Sequence, residues 1–165
     1  MRKFTVNRND AGLRLDKFIK KVLKFAPDSL IYKYLRKKRI KVNGKKEEIS
    51  YKLTEGDVLE FYVNDELFFD AKENENSFLK IKPDLDIVYE DENLMLIHKK
   101  VGVVVHTDEQ ENFNTLISHI LSYLYQKGEY NPEEELSFRP ALCNRIDRNT
   151  SGLVIAAKNA AALRI

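Results

Sequence analysis

The sequence is poor in cysteine and has no long apolar run. Its single cysteine, Cys143, cannot form an intramolecular disulfide, which excludes a disulfide framework and favours a reducing compartment. The longest apolar runs span only a few residues, so no transmembrane helix is predicted. The first ten residues are polar and no apolar segment follows them, so a secretory signal is not predicted either. Together these absences predict a cytoplasmic protein that does not enter a membrane.

The composition is that of a globular chain with an uneven distribution of charge. Hydrophobic residues make up 43% and charged residues 33% of 165 positions, a length that suits one ordinary domain or two small ones. The formal net charge is only +2. However, residues 1–46 carry 16 Lys+Arg and 3 Asp+Glu, a net charge of +13, whereas residues 47–165 carry −11. This asymmetry indicates a module for a polyanion joined to a second part of different chemistry.

The first 63 residues are predicted to form two helices followed by a small sheet. Apolar residues recur at helical spacing over 15–23, and a second helix with a basic C-terminal end follows a proline. Residues 40–42 alternate as a strand before the turn pair Asn43-Gly44, and 58–63 are typical of a closing strand. This pattern predicts a small domain near the lower size limit for an independent core.

A linker is predicted at 64–82 and a second domain at 83–165. Residues 71–77 (AKENENS) are polar, so no structure is predicted for them. The patterns of the second domain predict strands at 87–89, 94–97, 103–105, 141–147 and 153–157, and helices at 115–127 and from Asn159. The expected fold class is therefore α+β.

Basic side chains gather on the two predicted helices and the strand that follows them. Cations on one face neutralise phosphates and release counterions, which favours a nucleic acid as the partner. The alternative is a solvated lysine-rich face, and net charge alone does not separate the two readings. The candidate RNA-binding residues are Arg14, Lys17, Ser29, Lys33, Arg36, Lys37, Arg39, Lys41 and Asn43.

The order of these residues resembles the S4 RNA-binding domain. The resemblance is carried by Leu15–Phe18, Ser29, Lys33, Arg39–Lys45 and the turn Thr54–Asp57. It implies two helices packed with a small sheet, and a basic face that lies on structured RNA. The sequence departs from the usual pattern at Asp28, where a basic residue is common, and at Lys38, where a glycine usually ends the second helix. A lysine there is expected to adopt a modestly strained left-handed conformation.

An aspartate follows an apolar stretch in the second domain. Within Arg139–Leu153, the residues before Asp147 are typical of a strand, and Arg148–Gly152 of a turn. The neighbouring Arg145 and Arg148 favour an ionised carboxylate, which can act as nucleophile, base or metal ligand. The alternative is that Asp147 caps the turn by accepting from backbone amides, and local chemistry alone favours this alternative.

The same stretch resembles the motif H-R-L-D-x-x-T-S-G-L of RluA-type pseudouridine synthases. Residues 87–94 match the opening hairpin of that family, 99–106 its Lys-Pro-x-Gly-x-x-x-His segment, and 153–158 its apolar strand and lysine. With the S4-like module, the resemblance covers nearly the whole chain in the domain order of the family. The departures are Asn144, Ile146 and Lys100 in place of His, Leu and Pro. Asn144 can hydrogen-bond but cannot supply an imidazole.

The resemblance implies an RNA-modifying isomerase. The family detaches uracil from its ribose at N1 and rejoins it through C5, with base flipping and without a cofactor or a metal. Asp147 corresponds to the catalytic aspartate, and Arg145 to the arginine that fills the space left by the flipped base. Thr150, Ser151 and Gly152 are expected to shape the turn that holds Asp147. The implied fold is a small αα-β RNA-binding domain followed by the first part of a mixed, mainly antiparallel β-sheet catalytic domain with flanking helices.

The three histidines and the cysteine are predicted to have no catalytic role. His98 and His106 lack the spacing of a zinc site. His119 falls within the third predicted helix and is expected at its surface or boundary. Cys143, inside an apolar stretch, is expected to be a small buried residue.

The resemblance also implies more chain than is present. The family continues well beyond its aspartate motif, whereas 18 residues follow Asp147 here. We therefore expect the N-terminal part of a longer synthase, with residues 1–165 inert or nearly so by themselves. A non-catalytic RNA-binding protein with a degenerate synthase-like domain stays open. A methyltransferase or synthetase appendage is less favoured, because no glycine-rich nucleotide loop is present. Ribosomal RNA is the expected target, transfer RNA is the alternative, and a monomer is expected.

Overall fold

The computed structural model describes residues 1–68, 77–106 and 114–164, which fall into two compact units. The first unit is Met1–Asp70 with Glu135–Phe138, and the second is Ala71–Glu134 with Arg139–Ile165. Each unit contains helices and an antiparallel sheet, so the predicted α+β class is confirmed. None of the helices in the described ranges combines the length and the apolar composition that a membrane span requires.

The two predicted helices of the first unit are present. Helix α1 spans Leu15–Val22 and helix α2 spans Asp28–Arg36. Helix α1 buries all four of its apolar residues, which recur at intervals of three and four and therefore share one face. Helix α2 buries Ile31 and Leu35 in the same core. The lysines and arginines between these positions are left on the solvent side.

A three-stranded sheet completes the first unit. Its strands are β1 (Arg2–Thr5), β2 (Ile40–Val42) and β3 (Val58–Phe61), in the antiparallel order β1-β3-β2. Strand β1 was not predicted, although the alternation of polar and apolar residues over 2–6 could have indicated it. The pairing of β1 with β3 protects an edge of β3 that would otherwise be open.

The end of α2 shows how Lys38 takes the place of the usual glycine of the S4 pattern. The amide of Lys38 donates to the Leu35 carbonyl at 3.2 Å and that of Arg39 to the Tyr34 carbonyl at 2.9 Å, which is the hydrogen-bond pattern of a Schellman cap. Lys38 has a φ of 56°, so the expected left-handed lysine is confirmed. The side chain adds about 1 kcal/mol of strain relative to glycine. The cap directs the chain from α2 into β2.

A short segment that the sequence placed in the second domain groups with the first unit. The Glu135 carboxylate accepts from the side-chain amides of Asn7, at 3.1 Å, and Asn9, at 2.8 Å. The Ser137 hydroxyl donates to Asp10, whose carboxyl group is buried. Burial raises the pKa of Asp10. The contacts show that residues near 135 contribute to a unit more than 100 positions away in the chain.

The predicted linker carries packed residues at both of its ends. Phe68 lies in the core of the first unit and Phe78 in the core of the second. Short 3-10 turns at Asp65–Leu67 and Ser77–Lys80 lead into these positions. Most of the polar stretch 71–77 lies outside the described residues, and the boundaries at 63 and 83 stay a prediction.

The second unit is built on a four-stranded antiparallel sheet with the order β4-β5-β7-β6. Its strands and helices are β4 (Asp86–Glu90), β5 (Leu94–Lys99), α3 (Leu116–Gln126), β6 (Ala141–Leu142), β7 (Gly152–Ala157) and α4 (Ala160–Leu163). Thr115 caps α3 and Asn159 caps α4 through their side-chain oxygens, as their residue types favour. Alternate residues of β5 and β7, including Ile97 and Val154, pack in one core with Ile120 of α3.

Two predicted strands of the second unit differ from the structure. Residues 103–105 form no strand, because the carbonyls of Val104 and Val105 accept from the first amides of α3 and that of Val103 accepts from a lysine. The strand predicted at 141–147 ends at Leu142. Cys143 is exposed, so the expectation that it is buried was wrong.

A network of ion pairs and hydrogen bonds surrounds Glu90 at the edge strand of the second sheet. Glu90 accepts from the Tyr123 hydroxyl at 2.7 Å, from Lys127 at 2.8 Å and from Lys158 at 3.0 Å. Burial raises the pKa of Glu90, but these three donors outweigh it and hold the pKa at about 2. Lys158 also pairs with Glu129 at 2.6 Å, so the network joins β4, α3 and the end of β7.

Candidate RNA-binding face and candidate active site

The basic candidates on the helices are exposed. The exposed positions are Arg14, Lys17, Ser29, Lys33, Arg36 and Lys37. The Arg14 guanidinium makes two hydrogen bonds of 3.1 Å to the Asp16 carboxylate, which hold it at the start of α1. Within the part of the chain that the structure describes, Lys33, Arg36 and Lys37 form no ion pair. The C-terminal end of α2 therefore presents cations that pair with no carboxylate of the described residues.

The remaining candidates lie on the sheet, and they are not equivalent. Arg39 is exposed and Lys41 is half-buried. Asn43 has a φ of 50° and uses both polar atoms of its side chain within the unit. Its Nδ2 donates to Asp57 Oδ1 at 2.9 Å, and its Oδ1 accepts from the Val58 amide at 2.9 Å. These bonds give Asn43 a structural task that the sequence did not indicate.

Asp147 lies in the loop between β6 and β7 rather than at the end of a strand. Asn144 takes over the pairing with β7 where β6 ends, because its side-chain amide imitates a peptide group. Its Oδ1 accepts from the Ile155 amide at 2.7 Å, and its Nδ2 donates to the Leu153 carbonyl at 3.1 Å. The asparagine that replaces the usual histidine of the motif therefore anchors the loop that carries Asp147.

A buried lysine donates a hydrogen bond to the backbone of this loop. Lys99 ends β5 and is 1% exposed. Its Nζ donates to the carbonyls of Val103 at 2.9 Å, Lys100 at 3.1 Å and Arg148 at 3.2 Å. The Gly102 amide donates to the same Arg148 carbonyl at 2.8 Å. Three donated bonds satisfy the ammonium group completely, so a charged side chain is accommodated away from water.

Titratable groups at Lys99 and His106 interact with the charged residues of the loop that carries Asp147. Burial lowers the pKa of Lys99, and the Asp147 carboxylate opposes that shift. Burial also lowers the pKa of His106, and the Arg145 guanidinium lowers it further. Lys99, at the end of β5, therefore interacts electrostatically with Asp147, and His106 interacts with Arg145. No role was predicted from the sequence for Lys99 or His106. Lys99 is a charged residue at an inward position of an alternating strand, and that position could have revealed it.

The Asp147 carboxylate is exposed and takes no part in a turn cap. Among the described residues it accepts no hydrogen bond, and the turn is closed instead by the Thr150 amide, which donates to the Asp147 backbone carbonyl at 3.0 Å. Thr150 and Ser151 are exposed, and Gly152 begins β7 opposite Lys99. The carboxylate is therefore free of the structural role that local chemistry favoured, and Arg145 is exposed in the same loop.

A cavity of about 450 Å³ lies beside these loops. Its lining includes Lys99, Gly102 and Arg148 but not Asp147. His119, another lining residue, accepts from the Asp84 amide through Nδ1 at 3.0 Å, and its Nε2 lies 2.5 Å from Asn114 Oδ1. Residues 1–68, 77–106 and 114–164 contain no group of three or more His, Cys, Asp or Glu side chains that could hold a metal ion.

Models of two known families match successive parts of the chain. A sequence model of the S4 domain matches residues 13–59, which lie in the first unit. A model of the family described as RNA pseudouridylate synthase matches residues 93–165. The chain belongs to the RNA pseudouridine synthase family, with an S4 domain ahead of the synthase domain.

Curated relatives support this family membership along the whole chain. A protein of Mycoplasma capricolum named as an uncharacterized RNA pseudouridine synthase is 39% identical over 160 residues, which cover 96% of this chain and 51% of the relative. Ribosomal large subunit pseudouridine synthase C of Vibrio cholerae is 33% identical over 165 residues, which cover 96% and 48%. The corresponding protein of Haemophilus ducreyi is 31% identical. The chain spans about half the length of these relatives.

Proposed function

We propose that the protein isomerises specific uridines of RNA to pseudouridine, with Asp147 as the catalytic carboxylate and Arg145 as the residue that replaces the flipped base. The observation that carries this proposal is the exposed Asp147 carboxylate on a loop held by Lys99 and Asn144. An acid group that makes no internal bond, on a loop with fixed ends, is available to a substrate at low reorganisation cost. Thr150, Ser151 and Gly152 shape the turn beside it.

Asn144 weighs against the alternative of a degenerate, non-catalytic domain. A residue that replaced histidine without constraint would have no reason to keep both polar atoms bonded to the backbone of β7. Asn144 instead holds the start of the loop against β7. The proposed chemistry uses no cofactor, and we propose a monomer that acts on RNA in the cytoplasm.

Ribosomal RNA is the proposed target because several relatives are named as synthases of the large ribosomal subunit. The proposal also includes a size requirement. Because those relatives are about twice as long, we propose that residues 1–165 alone lack part of the catalytic site.

The test is an assay of RNA from a strain that lacks the gene. Full-length protein should restore a pseudouridine at a defined uridine of large-subunit ribosomal RNA, and the chain 1–165 should be at least about 100-fold slower because the substrate is incompletely positioned. Restoration in transfer RNA would replace the proposed substrate. If the protein restores pseudouridine in neither RNA, the non-catalytic RNA-binding protein is favoured. If the full-length protein and the chain 1–165 are equally fast, the size requirement is contradicted.

A second test addresses the basic face. Replacing Lys33, Arg36, Arg39 and Lys41 together by glutamine should weaken RNA binding and reduce the slope of log K against log[salt] by up to about 3, because each lost phosphate contact removes about 0.7–0.9. Filter binding at several salt concentrations measures the slope. Lys80→Gln with Lys82→Gln is the control, since these exposed lysines lie in the other unit. An unchanged slope in the fourfold variant would identify the cluster as a solvated face.

A further inference from the structure

The outer face of the first sheet adds Lys3 to the candidate cations Arg39 and Lys41. Strand β1 places Lys3 opposite Glu60 of β3, and β2 places Lys41 opposite Glu60 from the other side. The Tyr62 amide donates to the Arg39 carbonyl at 2.8 Å, so these two residues are also neighbours across the strands. Because side chains alternate along a strand, all five point away from the core that Leu59 and Phe61 enter. These five residues supply three cations, one carboxylate and one aromatic ring.

Tyr62 is exposed but held in place. Its ring is 38% exposed, and the Lys41 ammonium lies 5.4 Å from the ring centroid. Its hydroxyl donates to the Glu60 carboxylate at 2.6 Å. This bond engages the Glu60 carboxylate and raises the pKa of Tyr62. The ring therefore has a fixed orientation, so stacking of a partner on it costs the protein little side-chain entropy.

This combination of groups fits one chemistry. A flat aromatic ring among cations binds an unpaired nucleotide, whose base stacks on the ring while the flanking phosphates meet the ammonium and guanidinium groups. A base inside a duplex cannot offer its face to the ring. We propose that the outer face of the sheet, centred on Tyr62 with Lys3, Arg39 and Lys41, binds an unpaired nucleotide of the RNA. This inference rests on the proposed function, because it extends the RNA-binding face from α2 across the sheet.

The experiment compares two RNA hairpins bound by the chain 1–165. One hairpin is blunt, and the other carries a single-stranded tail of six nucleotides. Tyr62→Leu should weaken binding of the tailed hairpin about 10-fold, as expected for one lost stacking contact, and leave the blunt hairpin unchanged. The slope of log K against log[salt] should stay the same, because no charge is removed. Tyr62→Phe keeps the ring and should retain most of the affinity.

Tyr89→Leu is the matched control. Tyr89 is also an exposed strand tyrosine whose hydroxyl donates to a carboxylate two residues away, at 2.9 Å to Asp91, but it lies in the second unit. The inference would be overturned if Tyr62→Leu weakened binding of both hairpins equally or of neither. It would also be overturned if Tyr62→Phe lost as much affinity as Tyr62→Leu. Failure of the unmodified chain to bind either hairpin would instead refute RNA binding itself. A thermal melt of each variant verifies that the first unit is folded.

Discussion

Asp147→Asn in the full-length protein should abolish pseudouridine formation and leave RNA affinity nearly unchanged. The amide is isosteric with the carboxylate, but it is neither a nucleophile nor a base, so the loss of turnover should be at least about 10³-fold. The fold should be unaffected, because the Asp147 carboxylate makes no hydrogen bond among the described residues. The measurement is single-turnover pseudouridine formation at saturating enzyme, with RNA binding measured in parallel.

Asp84→Asn is the control for this substitution. Asp84 is exposed in the same unit and makes its hydrogen bond to His119 through the backbone amide. Asp84→Asn should therefore retain the activity of the unmodified protein. Turnover by Asp147→Asn within about 10-fold of the unmodified protein would contradict the assigned role, since a lost catalytic group has a far larger effect.

Lys99→Met is expected to have the largest effect on stability. Methionine has a similar length and removes the cost of burying a cation, but it leaves the Val103 carbonyl without a donor. The carbonyls of Lys100 and Arg148 lose one donor each and keep the amides of Val103 and Gly102. The unsatisfied Val103 carbonyl and the two lost bonds outweigh the relief, so the free energy of unfolding of the second unit should fall by about 1–3 kcal/mol. Urea denaturation of the chain 1–165 measures this change. Lys100→Met is the control, because the Lys100 side chain is exposed and only its backbone is used.

Hydrogen exchange separates a local from a global effect of this substitution. The Gly102 amide bonds to the Arg148 carbonyl that Lys99 also contacts, so its exchange should accelerate more than that of the Ile97 amide in the middle of β5. A variant with unchanged unfolding and a protected Gly102 amide would show that Lys99 does not hold the loop of Asp147.

Local patterns were reliable where local contacts decide the structure. Helices α1 and α2 follow from apolar spacing, and the caps at Thr115 and Asn159 follow from their residue types. The strand predicted at 141–147 was wrong beyond Leu142, because a local pattern does not reveal where a chain leaves its partner strand. The Cys143 amide still donates to the Ile155 carbonyl of β7 at 2.7 Å, and the side-chain amide of Asn144 replaces the backbone in the next bonds.

The candidate site depended on resemblance more than on local chemistry. Considered by itself, Asp147 in a polar turn favoured a capping role, and only its match to the synthase motif indicated catalysis. The structure removes the capping alternative by closing the turn through the Thr150 amide. Asn43, in contrast, was placed among the RNA-binding residues, and its bonds to Asp57 and Val58 give it a structural task.

The sequence by itself determined the separation of charge, with +13 in residues 1–46, as well as the amphipathic helices and the order of the two motifs. These are properties of composition and short-range spacing, which need no knowledge of distant contacts. Only the tertiary structure decided that β1 pairs with β3, that Lys99 is buried beneath the Arg148 carbonyl, and that Tyr62 lies among Lys3, Arg39 and Lys41. Each of these depends on segments far apart in the chain, whose meeting is set by strand pairing and burial rather than by local preference.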